Sequence, residues 1–235
     1  MSSESKFWVI IPAAGVGSRF GGNAIKQYQR VNHDTLLSLT LDTFLSYEKT
    51  HRVVVAINEN DNEWASLPQS KHIKVTSVEG GDTRMHSVFN ALLSIQNEAT
   101  ENDWLCVHDA ARPGLTLEAL KDMVGEISNH AVGGVMGLPV VDTLKKLSSA
   151  GDILETVDRA SLWRAQTPQM FRYSILRRAL ENIISQGLLV TDESSAVEAL
   201  GHKPKMVLGI ERNAKITVPE DLELFRCRLN REVSS

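Results

Sequence analysis

A glycine-rich loop follows the first apolar run of the chain, and two cationic side chains accompany it. The loop runs from Pro12 to Gly22 and contains Arg19, and Lys26 follows shortly after. Glycine and alanine let backbone N–H groups approach phosphate oxygens closely, while arginine offers a forked donor and lysine a point charge. The loop fits neither G-x-G-x-x-G, because Phe20 stands at the third glycine, nor the Walker pattern, because Asn23 stands at the lysine. It indicates another kind of phosphate cradle, the alternative being a tight strand–helix turn with two solvated cations.

Two further clusters of small and polar residues follow predicted strands. Residues 80–87 read Gly-Gly-Asp-Thr-Arg-Met-His-Ser, and residues 108–113 read His-Asp-Ala-Ala-Arg-Pro. Asp82, Ser87 and nearby backbone groups are candidates for contacts with a base edge, and Asp109 and Arg112 for contacts with a ligand. Each cluster alone is also compatible with an ordinary capped helix or a structural ion pair. Together, three such loops at strand ends favour a nucleotide site, because ligands of doubly wound sheets bind there.

The elements that must position these loops alternate between strand and helix. Near-continuous Val and Ile runs predict strands buried on both faces, so we expect an open, mostly parallel, doubly wound α/β sheet. The predicted strands are 7–11, 52–57, 73–78, 105–108, 133–138 and 205–208, and the predicted helices are 35–46, 84–95, 117–127, 174–186, 193–200 and one from 219 onward.

Residues 140–163 break this alternation and predict a strand, a turn and a second strand. A two-stranded hairpin is marginally stable alone in water, so we expect it to pack against something. A second copy of the chain is the simplest candidate. We therefore predict a single domain over residues 1–235, with a protruding β-hairpin arm at 140–163 that forms a homodimer.

Composition narrows the class of protein. With 25 Lys and Arg against 29 Asp and Glu, the formal charge is −4, which argues against binding nucleic acid through bulk charge. Cys106 and Cys227 lie far apart, in the spacing of neither a zinc site nor a disulfide framework. No stretch approaches the roughly 20 apolar residues of a membrane span. We expect a cytoplasmic protein with no membrane or nucleic-acid partner.

The ordered set of motifs resembles a known family, the 2-C-methyl-D-erythritol 4-phosphate cytidylyltransferases, from the first strand to the closing helix. One departure is Ile25, where many members have proline before the lysine. The motifs are Pro12-Ala13-Ala14-Gly15-x-Gly17-x-Arg19, Lys26-Gln27-Tyr28, Gly80-Gly81-x-x-Arg84-x-x-Ser87-Val88, His108-Asp109-Ala110-Ala111-Arg112-Pro113, Pro139-Val140-x-Asp142-Thr143, Thr156-Val157-Asp158-Arg159, Thr167-Pro168-Gln169-x-Phe171, Thr191-Asp192-Glu193 and Lys215-Ile216-Thr217-x-Pro219-Glu220-Asp221.

The resemblance implies a Rossmann-like fold of the nucleotide-diphospho-sugar transferase type and a reaction of CTP with 2-C-methyl-D-erythritol 4-phosphate. The products would be 4-diphosphocytidyl-2-C-methyl-D-erythritol and pyrophosphate, in non-mevalonate isoprenoid biosynthesis, with Mg²⁺ or another divalent cation as cofactor. The resemblance names no protein ligands for this metal.

Residue roles are carried over by position. Catalysis is implied for Arg19, Lys26, Arg159 and Lys215. Nucleotide binding is implied for Ala13, Ala14, Gly15, Gly17, Gly81, Asp82, Ser87 and Ala110. Binding of the methylerythritol phosphate is implied for Asp109, Arg112, Thr143, Arg159, Thr191 and Lys215, with Arg159 serving the partner's site.

Three alternatives remain at this point. A cytidylyltransferase for another polyol phosphate, such as ribitol 5-phosphate, would share the CTP half of the site. A nicotinamide-dependent dehydrogenase is disfavoured by the missing third glycine and the lack of a Tyr-x-x-x-Lys pair. An inactive nucleotide-binding regulator is disfavoured because Arg19, Lys26 and Asp109 are all present.

Overall fold

A seven-stranded sheet forms the centre of the structure, in a computed structural model that describes residues 5–15 and 25–233. The strands are β1 (Phe7–Pro12), β2 (Arg30–Val31), β3 (Asp34–Thr35), β4 (Thr50–Ile57), β5 (Val75–Glu79), β6 (Trp104–Val107), β7 (Gly133–Pro139), β8 (Leu144–Leu147), β9 (Ile153–Val157), β10 (Trp163–Arg172) and β11 (Lys205–Leu208). The α-helices are α1 (Leu36–Leu45), α2 (Arg84–Ser94), α3 (Leu117–Ile127), α4 (Tyr173–Ser185), α5 (Glu193–Ala199) and α6 (Pro219–Val233).

The strands of this sheet follow the order β11-β7-β10-β6-β1-β4-β5. Strand β1 pairs in parallel with β4 and β6, β4 with β5, and β11 with β7, whereas β10 is antiparallel to both of its neighbours. The mostly parallel, doubly wound α/β sheet predicted from the sequence is confirmed.

Alternate side chains of β1 enter two different cores, because successive residues of a strand point to opposite faces of the sheet. Val9 and Ile11 pack in a cluster that includes residues of α1 and α3. Trp8 and Ile10 pack in a cluster that includes residues of α2 and α4. All four side chains are fully buried, each contributing roughly 1.5–3 kcal/mol by the usual estimate for large apolar groups. This two-sided burial makes β1 a rigid base for the loop that follows it.

Side-chain caps fix where several helices begin. Helix α1 begins at Leu36 because Thr35 forms a capping box with Ser38, and helix α2 begins after Thr83, whose hydroxyl accepts a hydrogen bond from His86 N. The strand predicted over 73–78 begins only at Val75. Ile73, which the sequence placed inside it, is 93% exposed and precedes the strand.

The arm is an extension of two central strands. Strands β7 and β10 pair from Gly133 with Phe171 to Pro139 with Trp163, and the chain between them forms the separate ladder β8–β9. Several of its apolar side chains are largely exposed: Val141, Leu147, Ile153 and Leu154. The predicted hairpin is confirmed, while the single-domain boundary at 1–235 stays a prediction.

Within residues 5–15 and 25–233, no helix is long and apolar enough to cross a membrane.

Candidate active site

A cleft of about 600 Å³ opens where four parallel strands end. Its lining comes from Pro12 to Gly15 after β1, Asn58 and Glu59 after β4, residues 79–84 after β5, and Asp109 to Ala111 after β6. Because the carboxyl ends of parallel strands share one edge of the sheet, this is the position expected for a ligand. The described residues of the three loops named in the sequence analysis therefore meet at one cleft.

Most of the residues proposed from the sequence line this cleft. They are Ala13, Ala14, Gly15, Lys26, Gly81, Asp82, Ser87, Asp109, Ala110 and Lys215. Arg19 and Gly17 lie outside the described residues, which omit 16–24.

Lys26 is held at the cleft by the two residues that follow it. Residues Lys26–Tyr28 form a short 3₁₀ turn directly after Ile25. The buried Gln27 donates from Nε2 to the Ala13 carbonyl at 2.6 Å, and Tyr28 Oη donates to Asp61 Oδ2 at 2.7 Å. Burial and the nearby Asp61 carboxylate raise the pKa of Tyr28, so the phenol keeps the proton that it donates. These bonds fix the backbone that carries Lys26 against the loop after β1.

The loop after β5 approaches the loop after β1 too closely for a side chain. A Cβ at Gly80 would lie 2.3 Å from Ala14 Cβ. The buried Ser87 fixes the next residue, because its Oγ accepts a hydrogen bond from Gly81 N at 3.1 Å and lies 3.0 Å from the Thr83 carbonyl. The sequence made Ser87 a candidate for a hydrogen bond to the edge of the base. In this structure its hydroxyl holds the loop, and Ser87 also lines the cleft.

Asp109 is the centre of a charged network. Its Oδ1 accepts from Arg84 Nε at 2.9 Å, and its Oδ2 lies 2.9 Å from Lys215 Nζ and 3.3 Å from Arg112 Nε. Burial alone would raise the pKa of Asp109, but the three cations outweigh burial and lower it, so the carboxylate stays ionised. The sequence-based pairing of Asp109 with Arg112 is therefore one part of a larger cluster, and Lys215 joins it from a distant segment.

The sequence patterns assigned no role to two residues of this network, Arg84 and Glu193. Arg84 donates from Nη1 and Nη2 to the two carboxylate oxygens of Glu193 at 2.5 and 3.0 Å. Burial lowers the pKa of Arg84, but attraction to Glu193 and Asp109 outweighs it and raises the pKa overall. Each is the first residue of a helix, Arg84 of α2 after the strand-end loop of β5 and Glu193 of α5 after helix α4, so the available signal was a charged residue at the start of a helix.

A chain of hydrogen bonds through Thr167 and His108 fixes the backbone of Asp109. Asp109 N donates to Thr167 Oγ1 at 3.0 Å, and Thr167 Oγ1 lies 3.0 Å from His108 Nδ1. His108 Nε2 faces the Arg112 carbonyl at 3.0 Å, and because a carbonyl only accepts, Nε2 carries the proton and Nδ1 accepts from Thr167. Burial lowers the pKa of His108 to about 4, which keeps this ring neutral. His108 thus supports the loop and does not reach the cleft.

The remaining predicted residues lie away from the lining of this cleft. Arg112 is buried and donates to the Asn213 carbonyl. Thr191 borders a smaller neighbouring cavity of about 90 Å³ together with Arg84 and Glu193. Thr143 and Arg159 lie within the arm, where Arg159 donates to the Val141 carbonyl. These two arm residues do not line the cleft of their own chain.

The carboxylates do not form a metal cage. Among the described residues there is no group of three or more His, Cys, Asp or Glu side chains that could hold an ion. Both oxygens of Asp109 already contact cationic side chains. This donor set does not supply a metal site built from the protein; Mg²⁺ commonly takes its ligands from phosphate oxygens and water.

Almost the full length of the chain matches a family model. The family model described as IspD, 2-C-methyl-D-erythritol 4-phosphate cytidylyltransferase, matches residues 7–231. The chain belongs to this family. The resemblance inferred from the motifs is confirmed.

Individual members resemble the chain along almost its full length. It is 44% identical over 223 residues to the enzyme of that name from Pseudomonas savastanoi pv. phaseolicola, covering 94% of each chain. It is 44% identical to the Hahella chejuensis enzyme of that name, covering 97% of this chain and 95% of the relative. The crystal structure of the Francisella tularensis cytidylyltransferase superposes with a TM-score of 0.81 at 36% identity, covering 94% of this chain and 98% of that one.

Proposed function

We propose that this protein transfers a cytidylyl group from CTP to 2-C-methyl-D-erythritol 4-phosphate and releases pyrophosphate. The observation that carries this proposal is the family match over residues 7–231. The cleft at the strand ends supports it, because residues from five motifs of the family meet there. The product is 4-diphosphocytidyl-2-C-methyl-D-erythritol, an intermediate of non-mevalonate isoprenoid biosynthesis. The family match gives no support to the ribitol 5-phosphate alternative.

The reaction is a direct displacement at phosphorus. An oxygen of the acceptor phosphate forms a bond to the α-phosphorus of CTP, and the bond from that phosphorus to the β-phosphate oxygen breaks, so pyrophosphate leaves with the electron pair. The acceptor is already an anion, so it needs no base to activate it. The protein must mainly bring two anions together and stabilise charge around the α-phosphate.

Two lysine side chains that line the cleft support this role. Lys26 lines the cleft beside the loop after β1, and Lys215 lines it beside Asp109. We propose that Lys26, with Arg19 of the glycine-rich loop, stabilises the triphosphate, and that Lys215 turns from Asp109 toward the phosphates when substrates bind. The Lys215 side chain is 36% exposed, which leaves it access to the cleft.

The nucleotide half of the cleft is lined by small groups. We propose that the backbone and small side chains at the ends of β1, β5 and β6 hold the cytidine: Ala13, Ala14, Gly15, Gly17, Gly81, Asp82, Ser87 and Ala110. We propose that a pocket built from these backbone and small groups, with Gly80 against Ala14, excludes a purine sterically and accepts the smaller pyrimidine.

The acceptor half is proposed to use the charged network and the arm. Asp109 and Lys215 line the cleft, Arg112 contacts Asp109, and Thr191 borders the smaller neighbouring cavity. Thr143 and Arg159 would complete the site from a partner subunit through the exposed arm. We propose a homodimer for this reason, since the arm carries exposed apolar side chains and the two residues lie outside the cleft of their own chain.

We further propose Mg²⁺ or another divalent cation as cofactor, held mainly by the nucleotide phosphates. When bound, it would neutralise phosphate charge. The proposed cytoplasmic location rests on the sequence alone and stays a prediction.

Pyrophosphate release tests the function directly. The purified protein is incubated with CTP, ATP or UTP and Mg²⁺, with methylerythritol phosphate, with ribitol 5-phosphate, or with neither. We expect pyrophosphate from CTP with methylerythritol phosphate and little from the other combinations. No release with that pair, or equal release with ribitol 5-phosphate, would contradict the proposal.

A further inference from the structure

Arg84 occupies a position that its charge disfavours. It is the first residue of α2, where the partial positive charge of the helix N-terminus repels a cation. The first turn of α2 contains no acidic residue that would offset this locally. A residue that breaks a local rule is compensated elsewhere in the fold, and here the compensation is Asp109 on one side and Glu193 on the other.

Glu193 is fixed from a second direction. It is 2% exposed and begins α5 directly after the capping residue Asp192. The buried Gln169 of β10 donates to Asp192 Oδ2 at 2.7 Å and accepts from Ser194 N at 2.8 Å. The start of α5 is therefore attached to the central sheet, and the fork of Arg84 ties it to Asp109.

We propose that Arg84 is a positioning residue that holds Asp109 and the Thr191–Glu193 segment in the geometry that receives the acceptor phosphate substrate. The inference rests on the proposed function. Arg84 makes three directed donor contacts, one to Asp109 and two to Glu193. Lysine retains the charge of arginine but cannot make the forked contact, so it is not an equivalent residue at this position.

Within the network itself, the cations outnumber the carboxylates. Arg84, Arg112 and Lys215 supply three positive charges against the two of Asp109 and Glu193, which leaves one in excess. Without the forked guanidinium of Arg84, the carboxylates of Glu193 and Asp109 lose the contacts that orient them. Asp109 then contacts only Lys215 and Arg112. The nucleotide half of the cleft does not share these contacts, because Ser87 and Thr83 hold it independently. Loss of Arg84 geometry must therefore affect the acceptor more than CTP.

The test measures the two substrates separately. Arg84→Lys and Glu193→Gln are assayed by pyrophosphate release with each substrate varied at saturation of the other. We expect the KM for methylerythritol phosphate to rise about 10- to 100-fold and the KM for CTP to change by less than about threefold. The double variant is expected to be no worse than the stronger single variant, because both remove one interaction.

Arg177→Lys and Glu181→Gln serve as matched controls, since this Arg–Glu pair lies on α4 at the surface. Both are expected to leave each KM unchanged. Equal rises of the two KM values, no rise in either, or failure of both variants to show a cooperative thermal transition would overturn the inference and leave the pair a purely structural role. Inactivity of the wild-type protein would instead overturn the proposed function.

Discussion

Asp109 shows how a buried carboxylate is kept ionised without being the reacting group. Its side chain is 9% exposed, so an unpaired charge there would be strongly destabilised. Arg84, Arg112 and Lys215 compensate its negative charge. In turn, the carboxylate reduces the repulsion among these three cations at a site that is proposed to bind phosphates. Removing the carboxylate would leave those cations facing each other, so its role is electrostatic and geometric at once.

Lys26→Ala is expected to lower kcat about 10²- to 10³-fold, the usual effect of deleting one preorganised donor to a developing charge. The fold should be retained, because Gln27 and Tyr28 make the anchoring bonds of this segment. The measurement is pyrophosphate release under saturating substrates, with the melting temperature as a check on folding. Lys71→Ala, at an exposed lysine remote from the cleft lining, is the control, and near-normal turnover of Lys26→Ala would contradict the role.

His108 gives stability a defined pH dependence. Burial lowers its pKa to about 4 from an ordinary 6.5, so between these values the unfolded chain binds a proton that the folded chain does not. The contribution of His108 to the free energy of unfolding is therefore fully present above pH 6.5 and is lost as the pH falls toward 4. The free energy of unfolding changes with a slope of up to about 1.4 kcal/mol per pH unit in this window. His108→Gln removes the titrating ring, so its free energy of unfolding should vary less with pH across that window.

Urea unfolding at a series of pH values measures this difference. The exposed His33→Asn is the control and should follow the wild-type profile. Burial also lowers the pKa of His51, but this residue is unchanged in all three proteins and cancels in the comparison. Identical pH slopes for His108→Gln and wild type would exclude the assignment.

At the level of single residues, the sequence predicted the cleft better than the network inside it. Asp109 and Arg112 are three residues apart at a strand end, so their pairing was predictable. Glu193 is 109 residues from Arg84, and no local pattern reports such a contact. Strand order brings these residues together, and strand order is a property of long-range packing rather than of spacing.

Among the elements, β10 is the one whose direction the sequence did not reveal. Alternation of strands and helices predicts parallel neighbours, because a crossover helix returns the chain to the same end of the sheet. Between β7 and β10 the chain instead folds back through the arm, so the two strands pair antiparallel. The pairing shifts register between Ala165 and Gln169, which includes Pro168, a residue without an N–H to donate.

The arm is expected to be the dimer contact. Ile153 is 64% exposed on β9, and burying such a side chain in an interface contributes roughly 1.5–3 kcal/mol per copy. Ile153→Glu should therefore shift the protein from dimer toward monomer in sedimentation equilibrium. Ile73→Glu is the matched control, since Ile73 is 93% exposed but remote in sequence from the arm. A monomeric wild type, or an Ile153→Glu protein that stays dimeric, would contradict the arm contact.

At the scale of the whole molecule, the proposed site shared between subunits predicts complementation, because Arg159 does not line the cleft of its own chain. Lys26→Ala and Arg159→Ala are each expected to be inactive alone. After mixing and refolding, half of the dimers are heterodimers with one intact site of two, so about a quarter of wild-type activity should return.

A control mixture distinguishes complementation from partial recovery of folding. Lys26 and Lys215 both line the cleft of one chain, so mixing Lys26→Ala with Lys215→Ala leaves every site defective. No activity is expected from that mixture. Recovery in both mixtures, or in neither, would count against a site completed by the partner's arm.

Trp163 gives the molecule a built-in optical probe. It begins β10 at the base of the arm and is 39% exposed, whereas the tryptophans at 8, 64 and 104 are all buried. Acrylamide quenching of the intrinsic fluorescence should therefore report mainly on this one indole. Protection of that signal as the protein concentration rises would follow subunit association without any label attached.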